Sequence, residues 1–543
     1  MSSTVREILA EHRPHGFTGR GDKYLAEVAQ ALRRLLDKNQ RSLTYSTCRL
    51  AEHQLSQLAV LLVEFAEDLH NDIGLWRTLE SFNHECFGQP LPLTGRAARG
   101  EELSGFDSRR IEHLLWGLWR SFAPEKLLSP AHTDLRQLAG KVSSFLAESF
   151  ARLPQDSGVK HFLRGSSRYG WEVKRKLVWL GTKSYLFGPL FPEYVETHGG
   201  SRSVATTDDF ICQHCALWSG LGAIDILAGA LELPETDRAT LRLWYERHAA
   251  PYRVLTRQDN AKETETIEVR NLVTGQPYTV RMNTPDCPFQ AGQVVFGSLT
   301  PWRGEWYWSG EQRLLAELSL GAEADLRKHM LEKESALTYR YCPERVAMAR
   351  KSVGRHHARF VEYYGNDFVM FADGLSAAAA EQKRMEAEWQ AAPPEKVERL
   401  MKEGGLTRAC PPLHFPTEFL ECDQGIGCFF NSVEGQEFMR EFNPVLAGLK
   451  KKGQGQTDNE MEGVRHFVES PAISPAFVLR MVREHGAQSV GAAYLIDGFE
   501  ADKDLPCLLR RHKGHFYRKR YPSLSLIGVE ESPACDSGLE AAS

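Results

Sequence analysis

From Leu55 to Ile73 the apolar residues Leu55, Leu58, Leu62, Phe65, Leu69 and Ile73 recur at steps of three and four. That spacing lays one stripe along an amphipathic helix and demands a second apolar surface to cover it. Two further segments repeat the signature: Ile111, Leu114, Leu115, Leu118 and Trp119, then Val142, Phe145, Leu146, Phe150 and Leu153. Gly88–Gly95 and Ser129-Pro130 punctuate them. Residues 1–157 therefore read as an N-terminal helical bundle. Residues 158–251 continue in helix, with Ile224, Leu227, Leu231, Leu241, Leu243 and Trp244 as core positions and a Gly-rich break at Thr197–Ser203.

The period then changes. Ile267 and Val269 alternate, Thr274-Gly275 offers a turn, and Tyr278, Val280 and Met282 alternate again. Val294–Leu299, the turn Pro301–Gly304 and Glu305–Ser309 make a second pair of strands. Residues 252–311 read as a small antiparallel β insert, a sheet or partial barrel that needs a helix or neighbouring domain to cover it. Residues 312–400 return to helix, where Ala377–Ala392 is a strong helix former stopped by Pro393-Pro394. Residues 401–527 mix short helices and loops, and 528–543 form a small-residue, acidic, disordered tail. The expected fold class is α+β, mainly α-helical. At 543 residues the chain is too long for one ordinary core, so several domains share it.

With 66 Lys and Arg against 71 Asp and Glu, the net charge of −5 excludes a chain-wide electrostatic footprint for nucleic acid or anionic lipid. The first fifteen residues carry charge where a secretory leader needs an apolar core. The strongest continuous apolar run, Leu58–Val63, falls far short of a bilayer span, so no membrane association is expected. Eleven scattered cysteines, an odd number, read as reduced thiols and point to the cytoplasm.

Several clusters invite chemistry. Cys212-Gln213-His214-Cys215 is a C-x-x-C, but a zinc site needs a second ligand pair and Cys422 with Cys428 is a poor match, so structural thiols are the plainer reading. Glu67 and His70 share a helical face near Asp72, Glu80 and His84, the way di-iron bundles present ligands, yet the motif occurs once. Asp367 and Asp373 flank turns that suit a divalent cation or, more simply, helix caps. Trp302, Trp306, Tyr307 and Trp308, beside Arg281 and Arg303, either stack bases as OB-type sheets do or fill the core of the small sheet. The run Arg510, Arg511, His512, Lys513, His515, Phe516, Tyr517, Arg518, Lys519, Arg520 and Tyr521 mixes cations with rings as phosphate and base contacts require. Lys450-Lys451-Lys452 adds a second basic run. The alternation from Phe516 into Pro522–Ile527 predicts a terminal strand with Phe516, Arg518 and Arg520 on one face. No phosphate loop, dinucleotide fingerprint, H-E-x-x-H or G-x-S-x-G is present, so no cofactor is expected and no motif assigns a catalytic residue.

Further segments carry a resemblance. They include Asp72-Ile73-Gly74-Leu75-Trp76, His113-Leu114-Leu115-Trp116, Gly304-Glu305-Trp306-Tyr307-Trp308-Ser309-Gly310, Glu441-Phe442-Asn443-Pro444, Gly448–Gly453, Ser474–Val478 and Tyr517–Pro522. Through them the chain resembles an uncharacterised bacterial family catalogued as a domain of unknown function. The resemblance implies a bacterial cytoplasmic protein and carries over no catalytic residue. Three functions are open on the sequence. The first is a non-enzymatic interaction or regulatory protein with a protein partner. The second is nucleic-acid binding through Arg510, Arg511, Lys513, Arg518, Lys519 and Arg520 with Trp302 and Trp306. The third is a metal-dependent hydrolase drawing on Glu67, His70 and Asp72, or on Asp367 and Asp373.

Overall fold

The computed structural model describes residues 4–40, 49–94, 103–123, 127–213, 218–247, 249–258, 266–283, 288–315, 318–333, 343–403, 406–407 and 410–521. The chain divides into two units, Met1–Leu318 with Tyr494–Tyr517, and Ser319–Ala493 with Arg518–Ser543. The mainly helical α+β class expected from the periodicity is what the chain adopts.

In the first unit the helices are α1 (Val5–His12), α2 (Asp22–Gln40), α3 (Glu52–Asn71), α4 (Leu75–Phe87), α5 (Ser108–Phe122), α6 (Thr133–Phe150), α7 (Gly158–Arg164), α8 (Gly170–Lys183), α9 (Phe191–Thr197), α10 (Val204–Gln213), α11 (Ala223–Ala230) and α12 (Glu235–Arg242). The stripe read from Leu55 onward belongs to α3, which is buried on every side over Leu58–Asp68 and so forms the axis of the bundle. Such a helix also buries acids, and each must then be satisfied. Asp68 accepts from the backbone amides of Gly74 (2.8 Å), Leu75 (3.2 Å) and Trp76 (2.7 Å) and from the Tyr185 hydroxyl (2.6 Å). It thereby caps α4, whose first amides have no partner inside their own helix, and places negative charge at that helix's positive end. Trp76, held there, packs edge-on against Phe65 of α3 at 4.8 Å.

Strands β1 (Ala249–Gln258), β2 (Thr266–Asn271), β3 (Pro277–Arg281), β4 (Val294–Trp302), β5 (Glu305–Trp308) and β6 (Arg313–Leu315) make one sheet. The two expected hairpins are β2–β3 and β4–β5. Two non-local pairings join them: β1 pairs β4 as well as β2, and β3 pairs β5 in parallel through Val280↔Trp306 and Arg281↔Tyr307. The insert is thus antiparallel at every pairing but one, and that one closes it. The circuit β1-β2-β3-β5-β4-β1 is the strand order of an OB-type Greek-key barrel, with β6 added beside β4. A register shift between Val254 and Thr256 bends β1, which pairs both β2 and β4. Tyr252, Val254, Ile267, Val269, Tyr278, Val280 and Val295 fill the interior, and Trp306 and Trp308 pack against them.

The second unit contains α13 (Leu320–Lys333), α14 (Pro343–Tyr364), β7 (Phe368–Phe371), α15 (Gly374–Gln390), α16 (Pro394–Glu403), α17 (Thr417–Leu420), β8 (Ile426–Asn431), β9 (Gly435–Arg440), α18 (Phe442–Lys450), α19 (Asp458–Glu469), α20 (Pro475–His485) and α21 (Gln488–Ala493). The antiparallel sheet β7-β8-β9 corrects the expectation of helix and loop alone in this stretch. Every residue of β8 is buried, so its sequence lacks the alternation that marks a half-exposed strand. Gly374 packs so tightly that a Cβ would lie 1.7 Å from the Phe419 carbonyl oxygen, which reserves the position for glycine.

The last element returns to the first unit. Helix α22 (Ala501–Lys513) runs into a 3-10 turn at Gly514–Tyr517. Phe516 and Tyr517 thus lie in a turn and not in the extended run expected from Phe516: the last turn of α22 tightens, and Arg510 stacks on Tyr517 at 4.4 Å to hold it. Pro522–Ile527 and the expected tail 528–543 lie outside the described residues. No described helix is long and apolar enough to cross a membrane.

Replacing Asp68 by Ala strands three buried amides and a hydroxyl, each worth about 1–3 kcal/mol when left unpaired. The urea midpoint followed by tryptophan fluorescence should therefore drop sharply in Asp68→Ala. Tyr185→Phe, which removes one donor only, should cost about 1 kcal/mol.

Candidate binding face of the barrel

The barrel has two unlike outer surfaces. Its β4–β5 side is covered: Trp302 is fully buried and donates through Nε1 to the Ser167 carbonyl at 3.0 Å, while Trp244 packs edge-on to it and donates to the Pro301 carbonyl at 2.7 Å. Tyr307 lies under Gly170 and meets Trp171 edge-on at 5.3 Å. The opposite side, made by β1, β2 and β3, presents its outward positions to solvent. Alternation sends Ile267, Val269, Tyr278 and Val280 inward, so Thr266, Glu268, Arg270, Pro277, Thr279 and Arg281 face out.

The register aligns these residues in rows. Arg253 of β1 stands opposite Arg270 of β2, which stands opposite Pro277 of β3; Thr256, Glu268 and Thr279 form the next row, and Thr266 with Arg281 the third. Arg253 and Arg270 thus place two guanidinium groups side by side in the first row. Thr256 Oγ1 donates to Glu268 at 2.9 Å, which ties down the acid in the middle row. At the rim Arg281 donates through Nε to Glu305 at 2.7 Å and lies 5.7 Å over the ring of Tyr169. Arg168 lies 5.0 Å over the same ring, and Tyr169 stacks on Trp171 at 4.6 Å. Both Tyr307 and Arg281 bind Glu305; burial and this carboxylate push the phenol well above its ordinary range. Among the described side chains of the face and rim, Arg168, Arg253, Arg270 and Arg281 stand against Glu268 and Glu305, a positive patch on a chain of net charge −5.

A buried ionic network anchors the barrel to the helices. Asp208 of α10 receives Lys174 of α8 at 2.7 Å, Arg247 at 3.2 Å and the Ser309 hydroxyl at 3.0 Å. Gly310 follows with φ of 82°, and a Cβ there would meet Asp208 Oδ2 at 2.4 Å. Lys174 also reaches Ser309 Oγ at 2.7 Å and Cys212 Sγ at 3.5 Å. Burial pushes the Cys212 thiol up in spite of Lys174, so it stays protonated. Burial pushes the Asp208 carboxyl up, but Lys174 and Arg247 pull harder and hold it below its ordinary value of 3.8.

The residues singled out in the sequence fall in separate places. Glu67 is buried between Arg13 (2.6 Å) and the Ser157 hydroxyl (2.6 Å), His70 meets the Leu153 carbonyl at 3.1 Å, and Asp72 pairs with Arg77 at 2.7 Å. Asp367 pairs with Arg480 at 3.0 Å, and Asp373 caps α15 through the Ser376 amide at 2.7 Å. Cys215 lies outside the described residues. Among the described residues no group of three or more His, Cys, Asp or Glu is placed to hold a metal ion. Trp306 packs on the barrel interior. In the basic run Arg511 and Lys513 are buried, Arg510 lies 5.6 Å over Phe82 as well as over Tyr517, and Arg520 pairs with Glu434 at 2.8 Å. Arg510 to Tyr517 belongs to the first unit, and Arg518, Lys519 and Arg520 to the second. The outward arginines Arg253 and Arg270 went unnoticed in the sequence, although each sits at an outward step of an alternating strand.

Residues 8–198 match a family described as a protein of unknown function (DUF3843). No curated protein and no solved structure matches the chain. The DUF3843 match spans most of α1 through α9, including Tyr169, Trp171 and Lys174, and stops short of the barrel.

Because Asp208 is held below 3.8, the network's contribution is complete above that value and is lost as the pH falls through the lower value of the folded state. Melting temperature measured from pH 7 down to 2.5 should show an acid limb there. In Asp208→Asn that limb should flatten, with a lower plateau at neutral pH.

Proposed function

We propose that this protein is a non-enzymatic binding protein that holds single-stranded nucleic acid on the β1–β2–β3 face of its barrel. The observation that carries the reading is the open face itself, with Arg253 set against Arg270 and Arg281 at the rim, on a chain that is otherwise acidic. Guanidinium groups make fork-shaped contacts to phosphate oxygens. Three strands at about 4.8 Å spacing give a track the width of one backbone. Tyr169 and Trp171, flanked by Arg168 and Arg281, put rings and cations together at one edge, the mixture that single-strand binders use. The acids a metal-dependent hydrolase would need are spent in separate ion pairs and caps, which favours binding over catalysis. The buried Arg511 and Lys513 shift the weight of the nucleic-acid reading from the C-terminal run to the barrel.

Fluorescence anisotropy with labelled mixed-sequence DNA and RNA single strands at low salt tests this. Affinity should fall steeply with salt, and the triple variant Arg253→Ala, Arg270→Ala, Arg281→Ala should lose at least tenfold. Its log–log salt slope should shrink by about 2, since each single-strand phosphate contact contributes about 0.7. Absence of binding to either strand type, or equal binding by the variant, would sink the proposal. A protein captured on the same face in place of an oligonucleotide would also sink it and leave the broader reading as an interaction protein.

A further inference from the structure

The rim of the barrel face is carried by the short connection Gly165–Tyr169 between α7 and α8, and that connection is braced from three sides. Lys176 of α8 is 3% exposed and donates through Nζ to the Gly165 carbonyl at 2.7 Å and to Ser167 Oγ at 2.7 Å. Glu172, one turn earlier on the same helix, accepts from Ser166 Oγ at 2.7 Å and from the Tyr169 amide at 3.0 Å. Trp302 of the barrel donates to the Ser167 carbonyl, and Ser166 Oγ accepts from the Arg168 amide at 3.3 Å. Arg168 is left exposed, and the Tyr169 ring lies under both Arg168 and Arg281.

An ammonium is costly to bury unless its donors are used. Both acceptors of Lys176 belong to this connection, so what the buried charge holds is the connection itself. Burial pushes the Lys176 pKa down to about 8, against the pull of Glu172. Arg164 at the end of α7 is paired with Glu232 at 2.9 Å, Arg168 projects over the Tyr169 ring, and Glu305 of β5 binds Arg281; none of them acts on Lys176 as Glu172 does. Lys176 is therefore an ammonium at neutral pH and a neutral amine in mild alkali. Charge-assisted hydrogen bonds are about twice as strong as neutral ones, so losing that proton slackens both contacts to the connection.

We propose that Lys176 is a positioning residue for the nucleic-acid face: as an ammonium it fixes Arg168 and Tyr169 at the rim, and on losing its proton it frees them and weakens binding. This role rests on the β1–β2–β3 face being a nucleic-acid track. It adds control of that track by pH, through a residue that touches no strand itself.

Anisotropy of a labelled mixed-sequence DNA single strand, measured at constant ionic strength from pH 7 to 9.5, tests this. Wild-type Kd should rise about threefold or more, with its midpoint at about pH 8. Lys176→Arg, whose charge persists across the range, should keep the neutral-pH affinity throughout. Lys176→Met should bind weakly at every pH and show no midpoint. Glu172→Gln removes the pull that keeps the ammonium charged, so its midpoint should fall below that of the wild type; it decides the matter if Lys176→Met does not fold. Hydrogen exchange over residues 165–172, measured without nucleic acid at pH 7, should be faster in Lys176→Met than in the wild type. A wild-type Kd that stays level across the range overturns the role of Lys176 and leaves the binding face standing. So does a folded Lys176→Met that binds as tightly, or exchanges as slowly, as the wild type. No binding by the wild type at any pH overturns both.

Discussion

A carboxylate buried away from water is tolerated only when its neighbours are charged or hydrogen-bonding and correctly placed, and Asp208 satisfies that condition with groups drawn from three other parts of the chain. Lys174 comes from α8, Arg247 from the approach to β1, and Ser309 from the end of β5, while Asp208 itself sits on α10. The barrel enters and leaves the helical unit through those last two residues. Both ends of the insert are therefore pinned to one acid, and the positive φ of Gly310 is the backbone geometry that lets the exit strand come close enough. Removing one partner leaves the rest as uncompensated buried charge, which makes the junction stiff.

That stiffness determines which side of the barrel is left open. With Ser309 tied to Asp208, the β4–β5 surface lies under α8, and Trp302 and Tyr307 become core residues. The three strands on the far side then carry outward positions that are arginine and threonine rich. The aromatic rings at the rim come from the start of α8, the same helix that supplies Lys174. Anchor and edge thus move together.

Local patterning made part of this legible from the residues alone. The three-and-four spacing from Leu55 to Ile73 identified α3, and the two-residue alternation from Ile267 to Met282 identified β2 and β3, because each element hides one face. Closure of the barrel was not legible, since Val280 and Trp306 meet in parallel with no local signal. Strand β8 was missed because burial on both faces erases alternation. The run from Arg510 to Tyr521 reads as one basic surface in sequence, yet helical geometry turns Arg511 and Lys513 inward while Arg510 packs across Phe82. Cys212 stood out through its spacing from Cys215, whereas its observed neighbour Lys174 is 38 residues away.

The first unit is interrupted: Ser319–Ala493, 175 residues, is inserted between its body and Tyr494–Tyr517. Helix α22, whose Leu505, Cys507, Leu508 and Leu509 are buried, is therefore made long after α4 and α5. At ordinary rates of synthesis the gap is roughly 10–35 s. Throughout that interval the nascent chain carries the apolar surface that α22 will cover, and most of the second unit emerges before the first is complete. Assembly of the first unit on the ribosome is thus out of sequence order, completed by a helix made after most of the second unit.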